Sequence, residues 1–168
     1  MTSIAHIEEK RPEVGEREQQ IAEGESLIQV SIITPYEIFL DESVHLLTVP
    51  TDRGEMGILR QHMPILVALR PGELRLTRDG EMRSCFVSNG YVQVEPEYVI
   101  VVTTAAEWAT EIDEGRAQEA LARAQARYED PEVKRLPRRK ERAAHAIRRA
   151  KMRLKVAQRQ RQRTEEQH

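Results

Sequence analysis

Pro50-Thr51-Asp52-Arg53-Gly54-Glu55-Met56-Gly57-Ile58-Leu59, followed by His62-Met63-Pro64-Ile65-Leu66 and closed by Arg70-Pro71-Gly72, is the stretch on which the reading of the fold turns. Two glycines three apart bracket Glu55, a proline stands on each side and an apolar run follows, so the chain should fold tightly here and return into buried strands. Such a turn presents a shaped, exposed surface. Working outward, short apolar runs separated by turn residues fill the chain from Ser26 to Val102: Leu27 to Ile33, Ser43 to Val49, Ile65 to Leu69, Glu73 to Thr77, Met82 to Ser88, Tyr91 to Val94 and Tyr98 to Val102. Asp79-Gly80 is a hairpin signal between two of them, and Glu95-Pro96-Glu97 separates the last two. Val30, Ile32 and Val99 through Val102 supply the β-branched side chains that suit half-buried strands. The expectation is a β-sandwich over residues 26–104.

After Thr104 the period changes. The rest of the chain is rich in Ala, Arg, Glu and Leu and has no glycine beyond Gly115. Ala117, Leu121, Ala124 and Tyr128 fall on one face of a first helix, and Ala143, Ile147, Ala150, Leu154 and Ala157 on one face of a second. Glu129-Asp130-Pro131 separates them, and Pro137 caps or kinks the start of the second arm. The fold class is therefore an all-β sandwich followed by an antiparallel α-helical hairpin over residues 105–168. Alanine seams let helices approach closely but bury less than leucine seams at about 25 cal/mol per Å², so this hairpin can open. Residues 1–25 hold charged and small residues with scattered Ile and Val, and read as a disordered or weakly helical extension without recognisable chemistry.

Composition narrows the class further. A chain of 168 residues with 39% hydrophobic content supports one modest core. No apolar run approaches the roughly 20 residues that span a bilayer, and the N-terminus has neither an apolar stretch nor a cleavage site of the secretory kind; the expectation is a soluble, cytosolic chain without direct membrane insertion. The one cysteine, Cys85, falls inside an expected strand and reads as a small buried hydrophobe. The formal charge of -2 conceals an asymmetry: up to Pro131 there are 12 Lys and Arg against 24 Asp and Glu, whereas residues 132–163 carry 14 basic residues and 2 acidic ones. A cationic arm on an acidic body calls for an acidic partner or an intramolecular latch.

The Gly54 to Leu66 loop resembles a family signature, that of the epsilon subunit of bacterial and chloroplast-type rotary F-type ATP synthases, which reads roughly Gly-Glu-x-Gly-Ile-Leu-x-x-His-x-Pro-Leu-Leu. Further segments agree with it. Ile33-Thr34-Pro35 with Phe39-Leu40-Asp41-Glu42-Ser43-Val44 resembles the family's opening strand pair; Ser88-Asn89-Gly90-Tyr91-Val92-Gln93-Val94 resembles its Ser-Gly-Gly-Phe-x-x-Val turn; Ile112-Asp113-Glu114-Gly115-Arg116-Ala117 resembles its Ile-Asp-x-x-Arg-Ala box. Arg60-Gln61 in place of Pro-Gly, Asn89 in place of a glycine and the N-terminal extension are departures.

The resemblance implies a non-catalytic central-stalk subunit that couples gamma to the c-ring for proton-driven ATP synthesis and inhibits ATP hydrolysis through its C-terminal helices. It would sit peripherally on the cytoplasmic face of the cell membrane, as part of the complex. Glu55 and His62 are the implied c-ring contacts, although a histidine bonded to nearby backbone and a solvated glutamate are the plain alternatives. Glu107, Asp113, Arg116 and Arg123 are implied to bind a regulatory ATP, no cofactor being required. Against that, Asp113 caps the helix and Arg116 pairs with it. Arg138, Arg139, Arg142, Arg148, Arg149 and Arg153 are the implied contacts of the inhibitory arm with an acidic segment of the catalytic beta subunits. Nucleic-acid binding by the basic helix is the alternative; the acidic body, an isoelectric point of about 6.2 and 4% aromatic content oppose it. No Gly-rich phosphate loop, metal-ligand spacing or nucleophile motif points to an enzyme.

Overall fold

The computed structural model describes residues 27–166, so the expectation for residues 1–25 lies outside the described part. Ten strands precede the helices: β1 (Ile28–Ile33), β2 (Ile38–Val44), β3 (Leu46–Thr51), β4 (Gly54–Ile58), β5 (Ile65–Leu69), β6 (Gly72–Arg78), β7 (Glu81–Val87), β8 (Gly90–Val94), β9 (Tyr98–Thr103) and β10 (Ala106–Trp108). Hydrogen bonding runs in the order β10-β7-β6-β3-β5-β8-β9-β1-β2, with β4 paired to β3 alone. The sole link between β3 and β5 is the pair Thr51↔Leu69, so the path folds there into two sheets of five strands. Every pairing is antiparallel except β1 with β9.

Alternation fills the space between the sheets. Ile28, Val30 and Ile32 of β1, Val92 and Val94 of β8, and Val99 and Val101 of β9 meet Leu47, Val49, Leu74, Leu76, Cys85 and Val87 in one core. Cys85 is fully buried, and loss of solvation pushes its thiol up to about 12, so it packs as a hydrophobe rather than reacting as a thiolate. Asp79 and Gly80 adopt φ of 51° and 78°, the paired left-handed geometry of a tight hairpin between β6 and β7.

Four expectations need refinement. The run Ser43 to Val49 is two strands broken at His45, whose backbone N–H leaves the β2 line to donate to Thr77 O. Ile38–Val44 is a strand although Asp41, Glu42 and Ser43 interrupt its apolar residues, because it covers one edge of β1. The opening loop is not wholly a turn: the chain turns at Thr51 to Gly54, with Thr51 Oγ1 donating to Gly54 O, and again at Arg60-Gln61, and between them Gly54–Ile58 pairs back onto β3 as a hairpin arm. The sheet also runs on through β10, past Thr104.

The helical part consists of α1 (Glu114–Glu129), the single turn α2 (Pro131–Lys134) and α3 (Pro137–Glu166). Ala117, Leu121 and Ala124 of α1 are buried, and so are Ala143 and Ala150 of α3, as the spacing required. At about 1.5 Å per residue the 30 residues of α3 outrun the 16 of α1 by some 20 Å. The surplus length packs on the outside of the sandwich, where Met152, Val156 and Ala157 meet Phe86, Ala109 and Ile112. This second, small cluster puts the C-terminal half of α3 over β6 and β7.

Candidate functional site

The two halves of α3 have different electrostatic surroundings. In the C-terminal half, Arg153 Nε donates to Glu107 at 2.9 Å while its guanidinium lies over the Phe86 ring, and Arg161 donates to both oxygens of Glu114 at 2.7 and 2.8 Å. Arg159 donates to Glu73 Oε2 at 2.9 Å, and Arg163 approaches Glu73 Oε1 at 2.7 Å, off the axis of a directed hydrogen bond. Glu73 is on β6, whose Leu74 and Leu76 point into the core, so Glu73 and Arg75 point outward beneath the helix. There the Glu73 side chain is only 2% exposed. These bridges make the acidic body the partner of half the arm: the intramolecular latch.

In the N-terminal half of α3, Arg138, Arg139, Arg142, Arg148 and Arg149 have no ion-pair partner among the described residues. A hollow of about 800 Å³ opens between this half and α1. Arg123 and Arg127 of α1 and Arg139, Arg142, His145 and Arg149 of α3 line it, and Asn89 reaches it from the sandwich. Five guanidiniums around one concavity repel each other until an anion enters, and their planar N–H pairs suit phosphate or carboxylate. The sequence assigned Arg123 to one role, Arg139, Arg142 and Arg149 to another and Arg127 to none; the short α2 turn, which sets α1 and α3 side by side, brings them together.

The four residues of the implied nucleotide cluster divide among three places. Arg123 lines the hollow and also donates to Glu119, one turn back, at 3.4 Å. Asp113 caps α1, its Oδ1 accepting from the backbone N–H of Arg116 at 2.9 Å, while Arg116 is exposed. Glu107 is held by Arg153, so these two, expected in different sites, form one bridge.

Glu55 leaves the hairpin turn sideways. Arg75 donates to its two oxygens at 3.1 and 2.9 Å, and Arg159 stands 3.8 Å away. The hydrogen bond from Arg75 holds the Glu55 carboxyl below its ordinary value, against the opposing effect of partial burial. His62, half-buried, donates from Nδ1 to Met63 O at 2.9 Å. Just before it Gln61 adopts φ 62°, a left-handed conformation in the place where the resembling loop has glycine. Beyond it Met63, Leu66 and Tyr91 are exposed at 71%, 69% and 46%, an apolar stripe on the outer side of β5 and β8.

Comparison with known proteins gives a consistent picture. Residues 27–109 match the β-sandwich domain of the ATP synthase delta/epsilon chain, and residues 110–158 match the long α-helix domain of the same chain. The ATP synthase epsilon chain of Herpetosiphon aurantiacus is 37% identical over 137 residues, covering 81% of this chain and 98% of that one. That of Caldanaerobacter subterraneus subsp. tengcongensis is 35% identical over 129 residues, 76% of this chain and 91% of its own. That of Alkaliphilus oremlandii is 40% identical over 102 residues, 61% and 76% respectively. Among solved structures, a chain in the OSCP/F1/c-ring part of the Euglena gracilis mitochondrial ATP synthase superposes with a TM-score of 0.66 at 24% identity, covering 86% of this chain and 94% of that one, and shares the fold.

Proposed function

Since the chain belongs to the ATP synthase delta/epsilon family, matching epsilon chains across both of its domains, we propose that it is a non-catalytic central-stalk subunit that joins a gamma subunit to the c-ring and restrains ATP hydrolysis through its helices. The observation that carries the restraining role is the division of α3 into a half bridged to the sandwich and the start of α1 and a half whose arginines have no counter-ion among the described residues. An arm anchored at one end through Glu73, Glu107 and Glu114 is a structure with a defined closed state. Release would bring Arg138, Arg139, Arg142, Arg148, Arg149 and Arg153 to an acidic segment of the catalytic beta subunits. The apolar stripe of Met63, Leu66 and Tyr91 fits a rotor partner, and Glu55 and His62 fit the c-ring. No described helix is long and apolar enough to cross a membrane; attachment to the cytoplasmic face of the cell membrane runs through the complex.

Co-expression with a gamma subunit tests the assignment. The chain is expected to copurify with gamma, and replacing Leu66 by aspartate to reduce recovery at least tenfold, about 1.4 kcal/mol. Copurification with nucleic acid instead would favour the alternative reading of the basic helix.

The hollow between the helices is the place for a regulatory ATP. Arg123, Arg127, Arg142 and Arg149 supply phosphate donors there, and an anion bound between α1 and α3 holds the hairpin closed, since opening would separate the arginines that grip it. Isothermal titration with MgATP is expected to show binding that Arg149→Ala weakens by about tenfold, and that Arg116→Ala leaves nearly unchanged. The reverse order of effects would move the site to the α1 N-terminus; an absence of heat would remove it.

A further inference from the structure

Glu73 is the carboxylate most deeply covered by the arm, and three guanidiniums surround it. Arg159 and Arg163 come from α3, and Arg75, two residues along the same strand, lies 3.8 Å away through Nη1. Arg75 meanwhile gives two hydrogen bonds to Glu55 on β4. Arg159 reaches toward the same Glu55 at 3.8 Å. One continuous line of alternating charges therefore runs from the end of the arm, through Glu73 and Arg75, to the corner of the sandwich that carries the β3–β4 hairpin.

We propose that Arg75 changes partner with the position of the arm: with α3 docked it holds Glu55, and with α3 away it turns to Glu73 and releases Glu55 to an outside donor or cation. The driving force is an inequality of solvation. Undocking strips Glu73 of both α3 arginines at once, and a carboxylate set among sheet residues and left without a counter-ion is far more costly than one that water can reach. Glu55, with its side chain 43% exposed, is readily rehydrated. Glu73 is covered to 2% exposure by α3, and without the arm it still stands on β6, an interior strand flanked by β7 and β3, whereas Glu55 is on the edge strand β4. Arg75 Nη1 needs to travel only about 1 Å to come from 3.8 Å into hydrogen-bond range of Glu73. The short path and the difference in exposure point the same way.

The groups that face Glu55 make the consequence larger. Arg75 on β6 and Arg159 and Lys155 on α3 all stabilise its charge, with Glu73 the nearby like charge. Two of the three cations leave with the helix, and the exchange removes the third. Glu55 thus passes from a fully engaged side chain to an available acceptor in one event, and the hairpin corner reports whether the arm is docked. The inference rests on the arm being the element that leaves and on Glu55 facing outward in the complex, but the exchange itself belongs to the isolated chain and is measurable there.

The full chain carrying Arg159→Ala and Arg163→Ala provides the test, because it strips Glu73 of the same two cations whether or not α3 stays docked. A crystal structure of this variant is expected to show Arg75 donating to Glu73 and withdrawn from Glu55; both hydrogen bonds to Glu55 retained would overturn the proposal. In solution, the Glu55 carboxyl is titrated by 13C NMR with and without Arg75→Met. In the parent background Arg75→Met raises the Glu55 midpoint, and in the double-arginine background it is expected to leave the midpoint nearly unchanged, since Arg75 has already left. Equal rises in both backgrounds defeat the exchange. A dispersed spectrum for each variant establishes that the sandwich is folded. Should the exchange occur in a chain that proves not to inhibit hydrolysis, the proposed function fails and this inference stands; the converse outcome is equally readable.

Discussion

ATP hydrolysis by the assembled enzyme is expected to rise when the chain is deleted from Pro131 onward. The size of the rise measures how much of the enzyme the arm holds in check. If half the complexes carry an extended arm at any moment, removal doubles the rate; if nine-tenths do, the rate rises about tenfold. The deletion removes α2 and α3, lifting the cover from Glu73, but leaves the sandwich and its core. A gentler variant isolates the cause. Alanine at Arg138, Arg139, Arg142, Arg148 and Arg149 preserves all the bridges from Arg153 to Arg163 and should reproduce most of the rise. Salt is the third lever: at 0.5 M the screening length falls to about 4 Å, and the difference between intact and deleted chains should shrink as the arm loses its hold on an acidic partner. A hydrolysis rate that neither truncation nor the five alanines alters would remove the arm from the regulation of this enzyme.

Gly90→Ala should unfold the sandwich at temperatures the parent survives. A Cβ at Gly90 would stand 1.8 Å from Val102 O and 2.8 Å from its carbonyl carbon, both backbone atoms of the neighbouring strand. Neither can yield without parting β8 from β9, and β9 carries β1 on its other side. Val92, Val94, Val99 and Val101 would lose their register in the core. A loss of about 4 kcal/mol is reasonable for a core-strand clash, a large share of the roughly 5–15 kcal/mol that holds a domain, and it corresponds to a fall in Tm of about 8–16 °C. Thermal melting by circular dichroism gives the answer, and a Tm within 3 °C of the parent would contradict the steric argument. Asn89→Gly, one residue earlier, is the control: Asn89 is not among the described residues with positive φ, so glycine there should lower stability slightly by loosening the unfolded chain.

Those adjacent positions show how far the sequence could be read. The resembling turn has two glycines where this chain has Asn89-Gly90, and one sequence cannot say which of them is steric; the approach of Val102 O makes it the second. Conversely, Gln61 stands where glycine is usual and does adopt φ 62°, so that departure left a strained residue beside His62. β1, β6 and β8 were legible from alternation because each has one face in the core, and β5 and β9 from their apolar runs. The β2 strand Ile38–Val44 was legible only through resemblance, being half-polar, and β4 was hidden because two glycines in five residues look like a turn. The helix seam was readable from period at Ala117, Leu121, Ala124, Ala143 and Ala150, whereas Tyr128, Ile147 and Leu154 are half-buried and Ala157 packs on the sandwich. The pairing of the arm with the body was not readable. Glu73 reads as an ordinary outward residue of an alternating strand, and only the excess length of α3, laid across β6, explains why a carboxylate there needs Arg159 and Arg163. For the same reason Arg153 and Glu107 were separated by the sequence and joined by the fold.

The parallel pairing of β1 with β9 has a consequence in time. Gln29 meets Tyr98, so one of the two sheets cannot close until the chain is made as far as Thr103. Closing a loop of that span is slow beside helix formation, which takes on the order of a microsecond. The dock for α3 is built of strands in the sister sheet, at Glu73 and Phe86, and its last contacts bridge Arg159 to Glu73, 86 positions apart. During synthesis, therefore, α1 and α3 emerge and coil after the barrel of strands has had its whole sequence available, and the arm settles onto a finished surface. An element added last, held by charge, a few alanines and one small apolar cluster, can be lifted off later without disturbing what was folded first.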